Sequence, residues 1–190
     1  MFLESKISLL AKNGSIEAIC GSMFSGKTEE LIRRLKRLQI AEKKIAIFKP
    51  YIDSRYHNKK IVSHNKNSIK AIPIKKAKEI LNIITSEEII AIDEAQFFDE
   101  SLINTCSLLA NSGKKVIVCG LDMDFLGNPF GIMPQILAIS DHVTKLHAIC
   151  ENCKDIASYS FRITNESDII KVGEKKEYQP LCRACFIEKK

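Results

Sequence analysis

Gly21-Ser22-Met23-Phe24-Ser25-Gly26-Lys27-Thr28 fits G-x-x-x-x-G-K-[ST] at every constrained position, a spacing suited to a nucleoside triphosphate. Glycines let the backbone curl so that successive N–H groups face an anion, and they remove side chains that would block it. A helix starting near Lys27 adds the positive end of its dipole. Lys27 is expected to reach the β- and γ-phosphates, and the Thr28 hydroxyl to ligate Mg²⁺. A second pair of chemical groups, Asp93-Glu94, closes the apolar run Ile89-Ile90-Ala91-Ile92. An acid there, downstream of a phosphate loop, would hold Mg²⁺ opposite Thr28. The adjacent Glu94 is placed to accept a proton from whatever attacks the γ-phosphate. With water as attacker the chain is an ATPase, with an alcohol a kinase; the spacing leaves both open.

A third constellation is the pair of C-x-x-C knuckles Cys150-Glu151-Asn152-Cys153 and Cys182-Arg183-Ala184-Cys185. Four thiolates so paired suit tetrahedral Zn²⁺, and a closed four-cysteine site is structural. A redox reading is weaker, because neither pair opens a thioredoxin-like βαβ unit. A nucleic-acid-binding ribbon would need a dense basic face with interleaved aromatics, which residues 154–181 lack. That stretch, polar with apolar punctuation, reads as a loop pinned at both ends. The other cysteines, Cys20, Cys106 and Cys119, sit in apolar patterns and read as inert core residues.

These groups need elements to position them. Residues 16–20 read as a buried strand, and Leu31, Leu35 and Leu38 recur at helical spacing after the loop. Further strands are expected at 44–49, 88–94, 116–121 and, as a last one, 143–149. Helices are expected at 75–84, with Ala77, Ile80, Leu81 and Ile84 on one side, at 99–112 before Gly113, and at 132–140. Residues 51–70 read as a long surface segment with short strands near Ile61-Val62 and Ile69–Ile72. Alternation of strands and helices indicates an α/β domain with a mainly parallel sheet. Its ligands bind beyond the strand C-terminal ends, where the phosphate loop and Asp93-Glu94 both fall.

The chain has 190 residues, 45% apolar and 27% charged, enough for one substantial core and a small appendage. Asp93-Glu94-Ala95-Gln96 also spells a helicase box, but a helicase of that kind needs two such domains. The net charge of +6 is spread along the chain. Its densest cluster, Arg33-Arg34 with Lys36-Arg37, reads as a solvated helix face opposite the leucines. No apolar run approaches the roughly 20 residues that span a bilayer. No signal peptide is read at the N-terminus, so a cytoplasmic location is expected.

Together these stretches resemble type II thymidine kinases, from about Ile16 to Cys185. The resemblance rests on the phosphate loop with Met23-Phe24-Ser25, on Asp53-Ser54-Arg55-Tyr56, and on Asp93-Glu94-Ala95-Gln96-Phe97-Phe98. It continues through Gly120-Leu121-Asp122, Phe125, Pro129-Phe130-Gly131, Tyr178 and both knuckles. It implies a P-loop NTPase-like domain over residues 1–146 and a small zinc-binding lasso subdomain over 147–190. The implied reaction is Mg²⁺-dependent transfer of the ATP γ-phosphate to the 5′-hydroxyl of thymidine, giving dTMP for nucleoside salvage and DNA precursor synthesis. Glu94 would be the general base. Gly21 to Thr28, Asp53, Ser54, Arg55, Asp93, Glu94, Ala95, Gln96 and Arg162 would form the ATP and phosphate site. Met23, Phe97, Leu121, Phe125 and Tyr178 would line the thymine pocket, and the main chain of Ile169, Ile170, Lys171, Val172 and Gly173 would bond the base. The resemblance further implies a homotetramer, inhibition by dTTP, and neither nucleic acid nor membrane as partner. The rival class is a zinc-ribbon P-loop ATPase or nucleic-acid-binding module. Two departures stand out: Ser22 replaces a common proline, and Glu174 a common glycine, which would cost roughly 1–2 kcal/mol if that position needs positive φ.

Overall fold

Along the chain, β1 (Ser15–Gly21) leads to α1 (Lys27–Ile40), β2 (Ile45–Pro50), β3 (Lys60–Val62), β4 (Ser68–Lys70) and β5 (Ile72–Ile74). There follow α2 (Ile80–Ile83), β6 (Ile89–Ile92), α3 (Ser101–Asn111), β7 (Lys115–Gly120), α4 (Met133–Ile139) and β8 (His142–Leu146). The chain ends with β9 (Ala148–Ile149), β10 (Ile156–Ala157), β11 (Tyr159–Arg162), β12 (Tyr178–Leu181) and α5 (Arg183–Lys189). This computed structural model describes residues 14–53, 60–62, 68–164 and 177–189.

Six strands make one parallel sheet in the order β5-β2-β6-β7-β1-β8. Side chains alternate across a strand, so the near-continuous apolar runs supply both faces. Ala18, Cys20, Ile90, Ile92, Val116 and Val118 pack on one side with Leu102, Cys106 and Leu109 of α3 and Met133 and Ile136 of α4. Ile19, Ala91, Ile117 and Cys119 pack on the other with Leu31, Leu35 and Leu38 of α1. The leucine stripe is therefore the face that α1 buries.

Several expectations need correction. The helix at 75–84 is a 3₁₀ turn, Ala77–Glu79, running into the single turn of α2. Leu81 is 39% exposed, because that short helix cannot hold a straight stripe. The expected last strand over 143–149 is two strands broken at His147: β8 belongs to the main sheet and β9 pairs antiparallel with β10. The presumed pinned loop carries β10, β11 and β12, and β11 pairs antiparallel with β12. On the basic face of α1, Arg33, Lys36 and Arg37 are exposed as expected, and Arg34 alone is half-buried. Arg34 pairs with Glu30 at 2.8 Å and with the buried Glu17 of β1 at 3.1 Å, and donates to Thr144 Oγ1 of β8 at 2.9 Å. Glu17 also pairs with Lys115 of β7. One carboxylate thus joins three elements, its burial tolerable because it is paired.

Beyond β8 the small sheets and α5 enclose a separate cluster containing Ala148, Ala157, Tyr159, Leu181 and Phe186. Tyr159 stacks on Phe186 with ring centroids 4.4 Å apart.

Candidate functional site

The phosphate loop begins where β1 ends. Gly21 has φ 142°, and a Cβ there would sit 2.1 Å from the carbonyl oxygen of Leu146, so the turn admits glycine alone. Gly26, at φ 85°, is the left-handed residue from which α1 starts. Phe24 is left-handed as well, at φ 64°. Lys27 Nζ and Ser25 Oγ both donate to the Ser22 carbonyl, at 2.7 and 2.8 Å. Thr28 occupies the first turn of α1.

The loop is also fastened to the C-terminal unit. The Met23 N–H donates to Ser160 Oγ of β11 at 2.9 Å, and Phe24 packs against the Tyr159–Phe186 cluster. Ser22, buried, turns its hydroxyl toward the Ala157 carbonyl at 3.5 Å. Ser160 was not legible as a site residue; its sequence signal is no more than a serine between Tyr159 and Phe161.

The acids lie next but one in the sheet, past β7. Asp93 is buried, and burial, then the neighbouring Glu94 charge, push its carboxyl up to about 7, against a hydrogen bond from the Cys119 thiol. A divalent cation would displace that proton. Cys119 is therefore more than packing, although burial pushes its thiol well above the usual range. Cys20 and Cys106, likewise buried, are raised to about 11 and about 12 by desolvation, as inert core thiols.

Glu94 is half-buried and left-handed, φ 51° and ψ 43°, a conformation that costs a non-glycine residue on the order of 1–2 kcal/mol. Gln96 Nε2 donates to Glu94 Oε2 at 2.6 Å, and Gln96 Oε1 accepts from the Leu121 N–H at 3.0 Å. Ala95 is fully buried and turns its methyl into the core. Asp53 lies 3.6 Å from Lys49 Nζ, and Lys49, 2% exposed, donates to the Lys60 carbonyl at 3.2 Å. Sequence reasoning passed over Lys49; its signal was a lysine ending a buried strand on the ligand-binding side of the sheet.

Aromatic groups gather on the same side. Arg162, buried, donates from Nη2 to the Tyr178 hydroxyl at 2.7 Å and lies 3.8 Å from the Phe125 ring centroid. Its guanidinium thus braces two aromatics that the resemblance assigns to the thymine pocket, a contact the sequence reading did not foresee. Phe97 meets Phe130 edge-on, with centroids 5.7 Å apart. Met23 and Tyr178 are buried, while Leu121 and Phe125 are half-buried. Ser54 and Arg55, and Ile169, Ile170, Lys171, Val172, Gly173 and Glu174, lie outside the described residues.

Both knuckles converge. The sulfurs of Cys150, Cys153, Cys182 and Cys185 all lie within 4.8 Å of one another, near the separation of about 3.8 Å that tetrahedral zinc at about 2.3 Å would impose. Burial works against the Cys150 thiolate, but the backbone N–H groups of Cys153, Cys182 and Asn152 hold its thiol down to about 6. Asn152 Nδ2 donates to Cys185 Sγ at 3.2 Å. A hydrogen bond from the Asp155 backbone N–H favours the Cys153 thiolate, but hydrogen bonds with the Cys182 and Cys150 sulfurs push that thiol up to about 12. The cluster thus holds protons that a metal would displace; it is the four converging, hydrogen-bonded sulfurs that fit zinc.

Residues 14–186 match the family described as thymidine kinase. A thymidine kinase of Bacteroides thetaiotaomicron is 52% identical over 187 residues, covering 98% of this chain and 94% of that one. One from Bacteroides fragilis is 50% identical over 98% of this chain and 94% of its own. One from Porphyromonas gingivalis is 51% identical, over 92% and 86% respectively.

Proposed function

The chain belongs to the thymidine kinase family, and from that premise we propose that it transfers the γ-phosphate of ATP to the 5′-hydroxyl of thymidine. The observation that best supports the chemistry is Glu94, whose carboxylate is held by Gln96 at the C-terminal end of β6, beside the buried Asp93. Glu94 accepts the hydroxyl proton as the sugar oxygen attacks phosphorus, which keeps charge from accumulating on the nucleophile. Lys27 exchanges the Ser22 carbonyl for phosphate oxygens, and the loop from Gly21 to Thr28, with Asp53, Ser54 and Arg55, cradles the donor. Thr28 and Asp93 would hold Mg²⁺, which when bound neutralises phosphate charge. Met23, Phe97, Leu121, Phe125 and Tyr178 enclose the base, apolar walls being suited to a flat ring. Arg162 supports that wall through Phe125 and Tyr178 and lies near the transferred phosphate. By the family resemblance, main-chain groups of residues 169–173 would read the polar edge of the base.

Residues 1–146 act as the nucleotide-binding unit and 147–190 as a zinc-tethered lasso. Zinc in the Cys150, Cys153, Cys182 and Cys185 site is structural. We also assign inhibition by dTTP, a homotetramer and a cytoplasmic location. Exposed Val143, Ile149 and Ile156, on and beyond the edge strand β8, support an assembly. Among the described residues no helix is long and apolar enough to cross a membrane.

The test is Glu94→Gln. It should lower dTMP formation at least about 100-fold while calorimetric ATP binding stays within about two-fold. ATP consumption by the wild type that ignores thymidine and yields no dTMP would sink the assignment.

A further inference from the structure

Gln96 is only 4% exposed, and both ends of its amide are engaged. The Leu121 N–H can only donate, so the atom facing it is the amide oxygen and the nitrogen is left for Glu94. The slot is built around this side chain. A Cβ on Gly120 would approach Gln96 Oε1 to 2.8 Å, and one on Gly131, at φ 52°, would approach the Gln96 carbonyl oxygen to 2.4 Å. The 3₁₀ turn Ala95–Phe97 and the left-handed Glu94 before it then have little room to shift.

A buried amide with both ends occupied is poorly suited to a phosphate. From this geometry we infer that Gln96 is a positioning residue: it fixes the Glu94 carboxylate against the end of β7 and ties it to the backbone of the pocket residue Leu121. The inference rests on the kinase reading in which Glu94 takes the hydroxyl proton. Its consequence is selective. Loss of the bridge misplaces the base and slows transfer, while ATP still binds through the loop of Gly21 to Thr28.

A double-mutant cycle with ATP and thymidine tests it. Gln96→Leu should lower kcat by about 10- to 100-fold, the range expected from a misplacement near 1 Å, with the KM for ATP changed less than about two-fold. In the Glu94→Gln background the same substitution should cost nothing further, since the residue acts only through the carboxylate. Gln96→Met, unbranched and closer in shape, replaces the leucine variant if that one does not fold. The contact is also read without turnover: the side-chain amide NMR signal of Gln96 should shift in Glu94→Gln and hold still in Asp53→Asn. An unchanged kcat with a raised ATP KM, an equal loss in both backgrounds, or an amide signal indifferent to Glu94→Gln would each overturn the role. A wild type that makes no dTMP but shows the expected amide shift would sink the kinase reading and leave the bridge standing.

Discussion

The main sheet and the C-terminal unit solve the same problem by different means. The sheet buries apolar side chains on both faces, and its strands β1, β6 and β7 are almost wholly enclosed. Among the described residues, the unit after Leu146 has four short strands, one seven-residue helix and a small cluster, in which Cys150 and Cys185 are themselves buried members. Its apolar burial is too slight to order so many residues; four converging sulfurs make up the difference when they bind metal. Yet the two regions are tied together, because Met23 in the phosphate loop donates to Ser160 in the unit that carries the four cysteines. The loop thus belongs to the sheet by sequence and makes contacts with the cysteine-bearing unit.

Metal removal should separate the two most strongly. Structural zinc supplies on the order of 10 kcal/mol of apparent binding energy, so chelation should abolish hydrogen-exchange protection in β9 to β12 and leave β6 and β7 protected. Simultaneous loss in both would mean a single cooperative unit. Next in size is Glu17→Ala, which leaves Arg34 and Lys115 without their buried partner. Because both cations are about a quarter exposed, the expected cost is about 2–3 kcal/mol in urea unfolding, with zinc affinity unchanged.

Ser160→Ala probes the tie itself. It strands the Met23 N–H at a cost of about 1–2 kcal/mol, and ATP affinity measured by calorimetry should weaken about ten-fold. Unaltered affinity would mean that the zinc unit does not support the loop. The smallest effect is pH-dependent. Burial opposes ionisation of Glu30, but hydrogen bonds from Arg33 and Arg34 hold its carboxyl below 4.5. Its contribution is full above that value and is lost as pH falls below it. Glu30→Gln should therefore reduce thermal stability by tenths of a kcal/mol at pH 7 and by progressively less as pH falls below 4.5.

Much of this was legible along the chain because it is local. The phosphate loop needs consecutive residues, the knuckles need cysteines three apart, and the strands of the main sheet announce themselves by apolar runs bounded by turns. Where a segment is short and half-buried the signal fades: the strand expected over 143–149 gives no hint of its break at His147, and Leu81 fits a helical stripe that one turn cannot carry. Lys49 and Ser160 were missed for another reason, since each is one polar residue within a strand, with no motif around it.

By itself, then, the order of amino acids determined the strand–loop–helix cradle, the paired acids after β6, the cysteine pairs and the family, because each is written in neighbouring residues. Only folding decided that Gln96 stands between Glu94 and Leu121, that Arg162 braces Phe125 and Tyr178, and that Ser160 holds the loop. Those contacts join positions 25, 37 and 137 apart for Gln96 with Leu121, Arg162 with Phe125, and Met23 with Ser160. Backbone propensity and hydrophobic period act over a few residues; which side chains meet at such separations is fixed by how the sheets and helices pack.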